Sequence, residues 1–309
     1  MIEIGLLVAR FLHYAAATSL VGLALFPFYA CTGGEPSTLR RWRGKWILVA
    51  AVAALVSGLG WFAFVVANMG GGIGDLADAE TLHAVVYDTS FGNVWSLRML
   101  VALVIVGMAA WDVCFGSVSY WVTLAFAAVL LVSLAGTGHT QVEEGWAGII
   151  HMMSDGAHLL AAGAWLGGLV SLVAILPRSG ARDLPVQPKQ AVQILLRFSG
   201  MGYIAVATLI GSGLVNSWFL VGSLSGLLTT SYGLLLLGKL ALFVAMLALA
   251  AANRFWLVPS MSDVRADAPD EWSRWSLRLR NHVLGEQLLG WMVLALVSIL
   301  GTMQPATGQ

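Results

Sequence analysis

The side chains best suited to chemistry here are histidines, and they are unevenly placed. His151, Asp155 and His158 fall at i, i+4 and i+7, which puts them on one face of a helix. A His–Asp–His stripe is a ladder of metal ligands. Imidazole suits copper, zinc, iron and nickel, and thioether sulfur favours Cu(I). Met152 and Met153 follow His151 directly, and Met69 adds a further soft donor at the end of another apolar run. His13 stands within the first apolar run, His83 and His139 stand between runs, and only His282 lies in a basic stretch. Each residue also has a plainer use. An intramembrane histidine can bond one helix to another, methionines fill gaps, and Asp155 can neutralise Arg10 or Lys239.

The elements that must position these groups are set by hydropathy. Of 309 residues, 59% are hydrophobic and 10% charged, against about 25% charged in a soluble domain. Apolar runs cover about 4–31, 46–68, 94–114, 118–136, 148–176, 199–221, 232–258 and 284–302. A run of roughly 20 apolar residues spans the hydrocarbon core, and lipid leaves its backbone no hydrogen-bond partner but itself, so each is a helix. The expectation is an all-α polytopic membrane protein of about eight transmembrane helices, one integral membrane domain over 1–309. The first run is too long for a signal-peptide core and no basic segment precedes it, so it reads as the first span.

Charge orients the bundle. Loop 33–45 carries Arg40, Arg41, Arg43 and Lys45. Loop 177–198 carries Arg178, Arg182, Lys189 and Arg197. Loop 254–283 carries Arg254, Arg265, Arg274, Arg278 and Arg280. Loops 69–93, 137–147 and 222–231 and the tail after Thr302 contain neither Lys nor Arg. The positive-inside rule then puts the basic loops in the cytoplasm and both termini outside. His83, His139 and His151 fall near the outer surface. His13 and His158 each lie roughly 14 Å below it at 1.5 Å per residue. Two histidines at one depth are expected to meet across the bundle, with His151 above them. Asp75, Asp78, Glu80, Asp88, Glu143 and Glu144 make the outer loops acidic, which concentrates cations. Arg10, Arg98 and Lys239 lie inside runs and must face the bundle interior or snorkel.

Other functions are disfavoured. Zero net charge and no basic arm argue against nucleic acid. Cys31 and Cys114 are too few for a thiolate cage or disulfide framework. The glycines at 70–74 lack the Lys-Ser/Thr of a phosphate loop, and nothing has the spacing of a Ser-His-Asp catalyst. The chain therefore reads as a non-enzyme.

Several segments in order resemble the copper-resistance protein D family. They are Arg10-Phe-Leu-His13, His-Leu-Leu-Ala-Ala-Gly-Ala-Trp-Leu-Gly-Gly-Leu at 158–169, Arg-Phe-Ser at 197–199 and Thr-Ser-Tyr-Gly-Leu-Leu-Leu-Leu-Gly-Lys at 230–239. Asn-Arg-Phe-Trp-Leu-Val-Pro at 253–259 and Leu-Arg-Asn-His-Val-Leu-Gly-Glu at 279–286 complete the set. The resemblance is strongest over 150–305. It implies a bacterial inner-membrane protein that takes copper from the periplasm toward the cytoplasm, beside a periplasmic copper-binding protein of the copper-resistance C type. It carries copper-ligand roles onto His13, His151 and His158, to which the residue pattern adds Asp155, Met152, His83 and His139. A second reading is a haem b electron carrier with His13 and His158 as axial ligands on facing helices.

Overall fold

The computed structural model describes residues 1–31, 34–116, 118–137, 145–177, 186–264 and 269–308, whose regular structure is helical with no strand among them. His139, Glu143 and Glu144 lie outside the described residues. We number the helices α1 (Ile2–Ala30), α2 (Ser37–Gly70), α3 (Ala79–Tyr87), α4 (Ser90–Phe115) and α5 (Tyr120–Val132). They continue as α6 (Gly145–Ile175), α7 (Pro188–Leu220), α8 (Leu224–Thr229), α9 (Ser231–Ser262) and α10 (Pro269–Leu300).

Seven of these are long and apolar enough to cross a membrane, and the protein is a polytopic membrane bundle. The eighth expected span, run 118–136, forms only the 13-residue α5, about 20 Å long against a hydrocarbon core of about 30 Å. A 3₁₀ turn, Ala135–Thr137, extends it. Its two ends nonetheless reach opposite levels of the bundle. Tyr120 donates to Glu35 beside the start of α2, whereas a Cβ at Gly136 would meet Val94, in the first turn of α4. α5 therefore runs back along α4. Arg10 of α1 packs on Gly301, just past the end of α10, so the chain begins and ends at one end of the bundle.

The helices outrun the hydropathic runs. Arg40, Arg41, Arg43 and Lys45 sit in the first turns of α2, and Arg274, Arg278 and Arg280 in α10, rather than in loops. Hydropathy marks the part of a helix immersed in lipid, whereas the backbone pairing continues into the interface. Arg43 is drawn inside: its Nε donates to Glu35 at 2.7 Å and its Nη1 to the Leu23 carbonyl at 3.3 Å. At the other end of the bundle, short polar residues cap helix starts. Thr89 accepts from Gly92 N–H, Thr230 from Gly233 N–H, and Asp78 from Thr81 N–H at 3.0 Å. The Thr81 hydroxyl and amide hold the Asp78 carboxyl below its usual range.

α1 is central, packing on α2, α5, α6, α7 and α10. It approaches α6 closely where Gly22 faces Gly167, and a Cβ on either would collide with the other helix's backbone. Without a hydrophobic driving force between helices in lipid, such small-residue contacts carry the packing. Gly22→Leu is expected to force these helices apart and lower stability by about 1–3 kcal/mol, as overpacked cores do. The thermal midpoint in detergent would fall; an unchanged midpoint would mean that the helices separate freely here.

Candidate functional site

The structure divides the candidate ligands between two polar seams. The first joins α1, α2 and α4. His13 is fully buried. Its Nδ1 lies 2.9 Å from the Ala54 carbonyl and 3.2 Å from Ser57 Oγ. A carbonyl can only accept, so Nδ1 carries the proton, and Nε2 accepts from the Arg98 guanidinium. Arg98 is 1% exposed and stands 5.5 Å above the Trp61 ring. Arg10 stands 5.2 Å from the same ring and donates to the Tyr14 hydroxyl at 2.9 Å. Two guanidinium groups thus share one indole ring by cation–π attraction. This arrangement occupies both His13 nitrogens, and its two fixed positive charges repel a metal cation.

The second seam joins α6 and α7, with α9 alongside. His151, Asp155 and His158 face Phe219, Asn216 and Ser212, which have the mirrored spacing on α7. His151 is buried and stacks on Phe219 at 4.7 Å with an 11° tilt. Asn216 donates to Asp155 at 3.3 Å. His158 Nδ1 lies 2.9 Å from Ser212 Oγ, whose own proton goes to the Thr208 carbonyl at 2.5 Å. His158 Nδ1 must therefore be the donor to Ser212, which leaves the lone pair on Nε2, and the Leu209 carbonyl also bonds this ring. From α9, Lys239 is close enough for its charge to act on Asp155 but not within ion-pair distance.

The expected meeting of His13 and His158 is not seen: they share no partner and make no contact with one another among the described residues. Met152 and Met153 turn outward at 49% and 69% exposure, away from the stripe. His83 is exposed on α3, its ring 4.7 Å from Tyr87. No three His, Cys, Asp or Glu residues among those described converge as a metal site. Of the two cations suggested as partners for Asp155, Lys239 is the one beside it, while Arg10 belongs to the Trp61 cluster.

Sequence reading missed Ser212 and Asn216, and Ser57 with Trp61. In each pair the residues lie four apart inside an apolar run, a spacing that puts both on one face and that a search for ligand types passes over.

Comparison with known proteins identifies the family. Residues 1–149 match the N-terminal domain of copper resistance protein D-like proteins, and residues 192–300 match copper resistance protein D. The chain belongs to the copper resistance protein D family. It is 33% identical over 303 residues to Copper resistance protein D of Pseudomonas syringae pv. tomato, covering 96% of this chain and 95% of that one. It is 32% identical over 302 residues to Inner membrane protein YebZ of Escherichia coli (strain K12), covering 96% and 97%. It is also 32% identical over 256 residues to Copper transport protein CutJ of Bacillus subtilis (strain 168), covering 79% of this chain and 45% of that protein. No solved structure matches the chain significantly. The haem b reading falls away, because the family is one of copper resistance and His13 and His158 belong to different seams.

His13→Phe is expected to leave the buried Arg98 without its acceptor and to cost about 3 kcal/mol, the upper end for an unsatisfied buried group. The thermal midpoint should drop while copper binding by the folded fraction stays unchanged. Copper binding lost at full stability would instead make His13 a ligand.

Proposed function

We propose that this family member is a copper carrier of the bacterial inner membrane, not an enzyme, and that copper moves inward from the periplasm along the α6–α7 seam. The observation that carries the reading is His158, held by Ser212 with its Nε2 lone pair free. His151 and His158 are seven residues apart, about 10 Å along the helix, too far to share one ion at about 2 Å per imidazole bond. They act as successive stations. Asp155, about 6 Å and 4.5 Å along the axis from its two neighbours, lowers the electrostatic cost of passing between them. A cation arriving there takes over from Lys239 as the countercharge of Asp155. Copper is delivered to the outer end by a periplasmic copper-binding protein of the copper-resistance C type.

The positive-inside rule supports the orientation that this path needs, with the start of α1 and the end of α10 on the periplasmic side and the Arg-rich start of α2 in the cytoplasm. In a Cys31→Ser, Cys114→Ser background, Glu80→Cys should react with an impermeant maleimide on intact spheroplasts. Arg41→Cys and Asp270→Cys should react only after the membrane is opened. The reverse pattern would invert the carrier.

The seam itself is tested by Ser212→Ala, which removes the group that orients His158 without touching a ligand. Loss of such an orienting partner lowers metal affinity by about 10–100-fold, and the same loss is expected here in copper titrations. His158→Ala should abolish copper uptake by proteoliposomes, and normal uptake by that variant would overturn the path.

A further inference from the structure

A third polar cluster lies apart from both seams. α6 and α9 each contain one π-helical segment, Gly163–Gly167 and Asn253–Leu257. Such widened turns are rare and gather at functional sites. Here both aim a side chain at the same group on a third helix, Glu286 of α10. Asn253 Nδ2 donates to Glu286 Oε1, and the Trp165 side chain also reaches the carboxyl. The next residue braces the first π segment: with its amide oriented to satisfy both neighbours, Gln287 donates to the Leu166 carbonyl and accepts from Trp291 Nε1, each at 3.0 Å.

Glu286 is 2% exposed, and no cation pairs with it: the ion pair found among the described residues is Arg43–Glu35. An ionised carboxylate so placed costs far more than two neutral donors return. Asn253 gives a second sign. It is 8% exposed, and its Oδ1 has no donor although its Nδ2 serves Glu286. A protonated Glu286 supplies the missing hydroxyl, which completes a reciprocal amide–acid pair of the kind that leaves no buried polar atom unpaired. Glu286 also lines a cavity of about 200 Å³ between α6, α7, α9 and α10. The titratable and charged groups lining it are Glu286, Arg254 of α9 and Tyr203 of α7, and α6 contributes none.

From this geometry we infer that Glu286 is a proton-binding site: it carries its proton in the arrangement described and releases it to water admitted to the cavity when Asn253 turns away. The step is O–H cleavage at the carboxyl, the proton passing to water as hydronium and the carboxylate remaining behind. The two π segments are the joint through which a movement of α6, the helix of the proposed copper path, reaches the carboxyl. The site needs no metal and stands independently of the copper reading.

Infrared difference spectroscopy of the purified, metal-free protein in neutral buffer tests it. A carboxylic-acid C=O band is expected, lost in Glu286→Gln and shifted in Asn253→Ala, which keeps the acid but removes its partner. The Asn253→Ala variant keeps the test valid if Glu286→Gln fails to fold. A band present in wild type and unchanged by both substitutions, or no band at all, would overturn the inference. A wild-type band that disappears when sodium is added at constant pH would overturn it as well, because the site would then hold a metal cation in place of the proton.

Discussion

Lipid offers no hydrogen bonds, and the structure follows from that one constraint. Every polar side chain that enters the apolar part of this chain must find its partner inside the protein. The bundle answers with three separate seams. Arg10, His13, Tyr14, Ser57, Trp61 and Arg98 contact one another between α1, α2 and α4. His151, Asp155 and His158 meet α7 residue for residue. Asn253, Trp165 and Glu286 close the third. The helices can come close enough for this because glycines stand where backbones touch, as Gly22 and Gly167 do.

The seams differ in what they leave over. The His13 seam has both imidazole nitrogens occupied and carries excess positive charge, so it anchors α1. The α6–α7 seam keeps an imidazole lone pair on His158 and a carboxylate on Asp155, which are what a passing cation needs. Its other occupant, Lys239, presents one charge that, under the proposed function, a metal displaces. A carrier gains from this spread of incomplete sites: a cage binding with full coordination would retain its cargo, whereas successive one- or two-ligand stations let it move.

Much of the fold was legible because hydropathy and helix geometry act locally. The His151–Asp155–His158 face follows from spacing alone, and each apolar run falls on a helix, although α2, α7 and α10 begin well before their runs. The short α5 was hidden inside a run long enough to span, since hydropathy records immersion and not where a helix breaks. Depth along a helix was also legible, but the direction each side chain faces across the bundle was not. His13 and His158 were placed at one level and expected to meet, yet the choice of neighbour depends on helix order, with α1 turning His13 toward α2 and α4 while α6 turns His158 toward α7. Met152 shows the same gap: next in sequence to His151, it lies about 100° around the helix and faces outward.

The central claim is that copper is held by α6 and not by α1. Copper K-edge X-ray absorption of the purified, copper-loaded protein measures it directly. The account predicts imidazole nitrogen scattering near 2 Å, by analogy with zinc–imidazole bonds, that persists in His13→Phe and disappears in the His151→Ala, His158→Ala double variant. Imidazole scattering that survives the double variant, or that vanishes with His13→Phe, would contradict it.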